Sequence, residues 1–330
     1  MKQTRAAIVG LGRIASLLEA DSLREKPCTH AGALAANPDC VLVGGCDTDE
    51  QRRSLFAARW GVAVYADALE MLRTARPDIL VIATHPDSHY HYCRLAATSG
   101  VPVVICEKPL ADTLSAARKI AALKKRGGIT IITNHERRYS ADYIRAKELL
   151  ASHKLGEIIS VRAVLYMGKN KRLVDVFWHD GTHLADAVMF LTGAALKHRK
   201  RWGAKLTASA GTAWLEGELR QEKSGSVPVV MEVGAGRDHL VFEIEFSCAS
   251  GRLRIGNGIF EVWESAASPY AEKFRSLKKT EVGFEGPTGY FATMVADAVR
   301  CAREPGRSPQ SSAACGLAVI EYLHSVRAWR

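Results

Sequence analysis

The chain has 330 residues, 47% apolar and 24% charged, an ordinary globular composition that excludes a disordered chain, a collagen and a disulfide-stapled miniprotein. At this length a hydrophobic core suffices without disulfides or metals, and two domains are expected. Lys plus Arg number 45 against 35 Asp plus Glu, a net charge of +10. The excess is dispersed, and its densest runs (Lys124-Lys125-Arg126 and residues 197–201) are short, so they read as solvated helix ends and loops rather than a nucleic-acid patch.

In chain order, short apolar runs predict strands over residues 6–9, 41–44, 79–83, 103–106 and 129–133. Each is apolar on consecutive positions, as in strands buried on both faces of a parallel sheet. Helical stretches at 14–18, 49–60, 67–74, 90–99 and 114–126 lie between them. This alternation predicts a doubly wound α/β domain of Rossmann type over residues 1–133. The pattern then changes. A helix at 141–152, a strand at 157–166 and a helix at 182–191 precede β-rich segments at 207–215, 227–233, 240–248, 251–255 and 259–262. Helices at 288–302 and 312–326 close the chain. Residues 134–330 are therefore expected to form an α+β domain with an open, mostly antiparallel sheet, the last helices packing back on the first domain.

Eight cysteines occur, with no C-x-x-C pair and no Cys/His spacing of a zinc module. His179 and His183 stand four apart but lack the Glu of H-E-x-x-H, so no metal is expected. The first residues enter a strand pattern at once, which leaves no room for a signal peptide, and no apolar stretch approaches a membrane span. A reducing cytoplasm is the simplest location.

Gly10-Leu11-Gly12-Arg13-Ile14-Ala15 follows the first strand directly and is expected to open a helix. In G-x-G-x-x-A the first Gly permits the tight turn, the second lets backbone approach a pyrophosphate, and the small Ala allows close helix–strand packing. A diphosphate on Gly10, Gly12 and Ile14 would meet the free N–H groups of a helix N-terminus, and Arg13 could add charge. Asp47 ends the second strand, where a carboxylate accepts hydrogen bonds from ribose hydroxyls and repels a 2′-phosphate, favouring NAD. Arg52 and Arg53 follow closely and leave NADP open. Asp47 lies 35 residues after Gly12, against roughly 20 in the usual fingerprint. The extra length falls in the polar segment 19–29, read as an inserted loop.

Glu107-Lys108-Pro109 follows the strand at 103–106, at a strand end where open α/β sheets bind ligands. With residues 10–15, 82–89 (IATHPDSH), 134–139 (NHERRY), 155–158 (LGEI) and 179–186 (HDGTHLAD) in the same order, the chain resembles the glucose–fructose oxidoreductase, inositol dehydrogenase and rhizopine-catabolism (GFO/IDH/MocA) family of nicotinamide-dependent oxidoreductases. The resemblance implies a second-domain sheet lying against the nicotinamide and pairing with a partner subunit, hence a homodimer or homotetramer. It implies that Lys108 orients a substrate hydroxyl and that His183 acts as acid and base. Imidazole suits proton transfer near neutral pH, and a nearby ammonium stabilises a developing alkoxide. By the same resemblance Thr84, His85, Pro86, His89 and Glu107 are expected around the cofactor, and Asn134, Arg137, Arg138 and Tyr139 near the substrate, with Trp178 walling off a sugar ring. One departure is visible: aligned on Gly181 and His183, the family's Asp position holds His179, and Asp180 comes one residue later. Either Asp180 substitutes for that carboxylate or His179 contributes a second titrating group; Asp180 also suits the N-cap of the helix that follows, and one residue can do both. Asp186, three residues beyond His183, could orient the imidazole.

The implied activity is hydride transfer between NAD(P) and a secondary alcohol or ketone of a sugar, cyclitol or sugar nucleotide, a phosphorylated or nucleotide-linked sugar suiting the positive charge. Two other readings stay open on the same framework. One is a cofactor-binding sensor without turnover. The other is an oxidation and re-reduction by retained nicotinamide that gives net elimination or epimerisation.

Overall fold

The computed structural model describes residues 3–169, 171–221 and 225–328, without the side chains of 124–127 and 221. The side chains of the Lys124-Lys125-Arg126 run thus lie outside the described residues. Two compact units emerge, one of Met1–Ser140 with Pro287–Ile320, the other of Ala141–Gly286 with Glu321–Arg330.

The first unit holds strands β1 (Thr4–Val9), β2 (Cys40–Cys46), β3 (Val64–Tyr65), β4 (Ile79–Ile82), β5 (Val103–Cys106) and β6 (Thr130–Thr133). They form one sheet in the order β3-β2-β1-β4-β5-β6, parallel throughout. Because β4 and β5 are buried at every position, their continuous Ile, Leu and Val runs need no polar alternation. Helices α1 (His30–Ala36), α2 (Glu50–Trp60), α3 (Ala68–Ala75), α4 (His89–Thr98) and α5 (Leu114–Gly127) make the crossovers. Thr29, Asp49, Asp67 and Thr113 cap α1, α2, α3 and α5, each side chain accepting a backbone N–H three residues on, a bond worth about 1 kcal/mol apiece. In a parallel sheet all strand ends of one kind share an edge. Gly10, Asp47, Thr84, Glu107 and Asn134 therefore gather along the C-terminal edge.

The helix expected at 14–18 is not formed as such. A turn at residues 13–16 leads into a short 3-10 helix, Leu17–Ala20, and α1 begins only at His30. Yet the His30 N–H donates to Ile14 O at 3.2 Å and Ala31 N–H to Ala15 O at 2.9 Å. In an unbroken helix those carbonyls would accept from residues four further on. Here His30 occupies the place of residue 18, and residues 18–29 are looped out of a helix that resumes where it left off. Taking twelve residues from the 35-residue interval leaves 23, close to the usual fingerprint spacing of roughly 20. The loop is tied at both ends. Glu19 Oε2 accepts from Thr29 Oγ1 (2.6 Å) and Cys28 N (3.2 Å). Glu25 accepts from Thr288 N, Thr288 Oγ1 and Gly289 N at 2.7–2.9 Å. Burial alone would raise the Glu25 pKa, but these bonds outweigh it and hold the pKa below the ordinary carboxylate value.

The second unit opens with α6 (Ala141–Ala151) and β7 (Ile158–Gly168). The short α7 (Leu173–Asp175), a π-helical turn (Val176–Asp180) and α8 (Gly181–Thr192) follow without a break. The remaining strands are β8 (Ala195–Gly203), β9 (Gly211–Gln221), β10 (Gly225–Arg237), β11 (Val241–Cys248), β12 (Gly251–Gly256), β13 (Ile259–Ala267) and β14 (Arg275–Val282). Their sheet order is β14-β13-β12-β11-β7-β10-β9-β8. It is antiparallel except for the β7–β10 pair. One face buries Ala163, Leu165, Met231, Val233, Ile244 and Phe246. The other carries ion pairs such as Arg162–Glu232 and Arg254–Glu243. The basic run 197–201 is not a loop. It lies in β8 at the sheet edge, where Lys and Arg discourage pairing with another chain's strand.

Helices α9 (Tyr290–Arg303) and α10 (Ala313–Ala328) close the chain. Phe291, Met294, Val295 and Ala298 of α9 join Ile8, Val81 and Ile105 in the core of the first unit.

Candidate functional site

Gly10 has φ of +85°, a conformation open to glycine, and an added Cβ would lie 2.7 Å from Ala83 O and 2.9 Å from Thr84 Cγ2. The turn after β1 is thereby pressed against the loop after β4. At Gly12 an added Cβ would meet nothing nearer than Arg52 Nη1, at 4.0 Å. The backbone over the second glycine is thus open to an incoming group and faces a guanidinium, which fits a dinucleotide diphosphate on the Gly10–Ile14 turn. Arg13 is exposed beside it and Ile14 half-buried.

Asp47 is only 8% exposed. Its Oδ2 accepts from Leu11 N at 2.8 Å and its Oδ1 from Asp49 N at 2.9 Å, while Arg52 Nη1 stands 3.6 Å from Oδ2. The carboxylate therefore stiffens the glycine turn from below. Arg53 Nη1 donates to the backbone carbonyls of Asp47 and Thr48.

In the loop after β4, Thr84 Oγ1 pairs with Ser88 Oγ at 2.7 Å, His85 is exposed and Pro86 half-buried. His89 is fully buried, with Nδ1 3.2 Å from Leu110 O and Nε2 3.1 Å from Thr84 O. Burial, partly offset by these carbonyls, lowers its pKa. Both ring nitrogens face backbone carbonyls, and whichever carries the proton donates to one of them, so His89 sits between residues 84 and 110.

Glu107 is 7% exposed and collects three donors. Its Oε1 receives Asn134 Nδ2 at 2.5 Å and lies 2.7 Å from His30 Nε2. Its Oε2 accepts from Lys108 N at 3.2 Å. Burial pushes the Glu107 pKa up, but the His30 and Asn134 bonds and the Lys108 charge prevail, leaving it below the ordinary value and the group ionised. Lys108 itself is half-buried. Sequence reading passed over His30 altogether, because its partner is 77 residues away and the loop hides its helix; a His followed by the apolar run Ala33-Leu34-Ala35-Ala36 was the available signal.

The 134–139 stretch is bonded largely within the first unit. Asn134 is buried in the Glu107 cluster. Tyr139, 1% exposed, donates to Asp297 Oδ2 at 3.0 Å and accepts from Ser311 N at 3.2 Å. Burial and Asp297 drive its pKa well above the ordinary value. Arg138 is buried with Nη1 on Gln310 O, and Arg137 pairs with Glu136 at 2.7 Å. Asn134 Nδ2 and the Tyr139 hydroxyl are thus bonded into the framework of the first unit.

In the second unit, the π-helical turn carries Trp178, His179 and Asp180 directly into α8. The helix does not begin afresh at Thr182. Asp180 has φ −100° and ψ −30° and makes no capping bond; its Oδ2 instead accepts from Lys171 Nζ at 3.0 Å. Capping is therefore excluded as its role. His179 is exposed and His183 half-buried, one histidine on each side of Gly181. Arg327 lies 6.0 Å from the centre of the Trp178 ring, and Asp186 is buried on α8 at 1% exposure. A π turn holds one residue more than an α turn and recurs at functional positions.

Residues 4–135 match the family model described as the oxidoreductase family, NAD-binding Rossmann fold. The inositol 2-dehydrogenase of Rubrobacter xylanophilus is 32% identical over 126 residues, covering 38% of this chain and 36% of the relative. The D-glucoside 3-dehydrogenase of Escherichia coli is 27% identical over 205 residues, covering 57% and 54%. The chain thus spans from about a third to just over half the length of these curated relatives. The crystal structure of an oxidoreductase from Agrobacterium radiobacter in complex with NAD+, L-tartaric acid and magnesium superposes with a TM-score of 0.73 at 18% identity, covering 100% of this chain and 98% of that one. Residues 4–135 are thus similar to the NAD-binding Rossmann domain of the GFO/IDH/MocA oxidoreductase family.

Proposed function

We propose that the protein is an NAD(P)-dependent oxidoreductase that transfers hydride between the nicotinamide and a secondary alcohol or ketone of a sugar, cyclitol or sugar nucleotide. The observation that carries the reading is the shared edge of the parallel sheet, where an open glycine turn at Gly12 and Lys108, its backbone N–H on the buried Glu107 carboxylate, both follow strand ends. Relatives named for glucoside and inositol dehydrogenation support the substrate class. The bound nicotinamide would supply the hydride acceptor. Lys108 orients the hydroxyl and steadies negative charge as its proton departs. His183 receives that proton, with His179 and Asp180 as the neighbouring titratable groups.

For the cofactor, the reading is NAD with NADP also accepted. Asp47 keeps lone pairs for ribose hydroxyls but is partly committed to Leu11 and Asp49, and Arg52 beside it offers a cation to a 2′-phosphate. Eight unpaired thiols suit a cytoplasmic setting, and among the described residues no helix is long and apolar enough to cross a membrane. A homodimer or homotetramer is part of the reading; a monomer by light scattering at micromolar concentration contradicts it.

The test is fluorescence titration with NADH and NADPH, then a turnover screen of polyols, aldoses and nucleotide sugars. Wild-type rates in a Lys108→Ala, His183→Ala double variant refute the assigned roles. Tight cofactor binding with no turnover of any alcohol favours a sensor instead.

A further inference from the structure

Glu107 is an expensive group for a sheet edge. An ionised carboxylate removed from water costs several kcal/mol unless its bonds are excellent, and β5 before it is wholly apolar. Its surroundings are built to meet that cost. His30 is fully buried, its ring set edge-on against Phe291 at 90° and 5.0 Å between centres. The other ring nitrogen, Nδ1, has no hydrogen-bond partner among the described residues, so the imidazole's polar commitment is to Glu107. Asn134 arrives from the end of β6 with its amide on the same oxygen, and its Oδ1 likewise has no partner among the described residues. The second carboxylate oxygen points the other way and takes the backbone N–H of Lys108. Meanwhile the His30 backbone N–H is bonded to Ile14 O, in the glycine-rich turn. One residue therefore joins the candidate dinucleotide turn to the corner that carries Lys108, across the end of β4.

We propose that His30 and Glu107 are positioning residues for Lys108: the His30–Glu107–Asn134 cluster fixes the Lys108 backbone and sets a buried negative charge beneath its ammonium, and His30 ties that corner to the glycine-rich turn. The proposal rests on the oxidoreductase reading for its kinetic consequence, but not for its structural one. Neither residue touches substrate in this role. Removing the outer-shell hydrogen-bond partners of metal-ligating side chains costs roughly 10–100-fold, and a loss of the same order is expected for these supporting partners.

The isosteric Glu107→Gln variant keeps the shape and an acceptor for Lys108 N while removing the charge; His30→Gln keeps a side-chain donor, and His30→Ala removes it. Three quantities are measured: NADH affinity by nicotinamide fluorescence, kcat and KM on the alcohol identified by the screen, and the NMR signal of Lys108 in reductively 13C-methylated protein, assigned with Lys108→Arg. Expected are a kcat loss of roughly 10–100-fold in Glu107→Gln and His30→Ala, NADH affinity within about twofold, partial recovery in His30→Gln, and a displaced Lys108 signal in Glu107→Gln. The proposal is overturned if NADH affinity falls as far as kcat, which makes Glu107 a cofactor contact, or if the Lys108 signal stays in place. Should His30→Ala fail to fold, Glu107→Gln decides. Should wild-type protein turn over no alcohol, the oxidoreductase reading falls, and the Lys108 signal still decides the positioning role.

Discussion

Tyr139→Phe separates a framework role from a substrate role. The Tyr139 hydroxyl donates to Asp297 Oδ2 and accepts from Ser311 N, in a site where Tyr139 is 1% and Ser311 0% exposed. Deleting the oxygen removes a hydrogen bond to a carboxylate, which contributes about 1.5–3 kcal/mol, and orphans a buried N–H, which costs about 1–3 kcal/mol. Asp297 Oδ2 keeps the Gln310 N–H at 2.9 Å, which softens the loss. A net destabilisation of about 2–4 kcal/mol follows, or roughly 5–12 °C in the transition of the first unit. Differential scanning calorimetry measures it, and NADH titration on the same protein should give an unchanged affinity. A loss below about 1 kcal/mol would refute the bookkeeping. A stable variant with impaired turnover would return Tyr139 to the substrate.

Gly12→Glu should abolish NADH binding, because a carboxylate would enter the open space over the turn, while the far-ultraviolet dichroism stays native. Gly32→Ala places a methyl 2.3 Å from Glu19 Oε2; the carboxylate must withdraw from Thr29, lowering stability by about 1–3 kcal/mol in urea titration. For Glu25 the folded pKa lies below the unfolded one, so its contribution is complete above the unfolded value near 4.5 and is lost as pH falls through the lower folded value. Glu25→Gln should therefore destabilise at pH 7 and lose less than wild type on acidification, as read by acid denaturation. Excising residues 18–29 and joining Leu17 to His30 should give a folded protein that still binds NADH, since the helix bonds from His30 and Ala31 reach back to Ile14 and Ala15. Loss of NADH binding in that deletion would show that the loop belongs to the cofactor site.

The buried parallel strands were legible because their burial is continuous: β5 was predicted over the residues it occupies. The glycine turn and the carboxylate after β2 were equally readable, since each depends on local backbone chemistry. The helix at 14–18 was misplaced because a twelve-residue excursion breaks the sequence period without breaking the hydrogen-bond ladder. His30 was missed, and the Tyr139 bond to Asp297 was not foreseen, for one reason: their partners lie 77 and 158 residues away, and no local pattern encodes a tertiary acceptor. Strand β8 was hidden by its charge, because an exposed edge tolerates Lys and Arg that a central strand would not.

The looped-out segment is also a port. Its two ends are held a hydrogen bond apart by the resumed helix, and its tip is in solvent, with Leu23 96% exposed. Lengthening such a loop is cheap, about 0.6 kcal/mol for each doubling. A fluorescent or peptide module spliced at residues 22–24 would leave the helix, the Glu19 clasp and the Glu25 tether untouched. Because the segment departs from the helix just after the glycine turn, strain generated in such a module would be delivered there, and cofactor occupancy could be reported optically from an unmodified sheet.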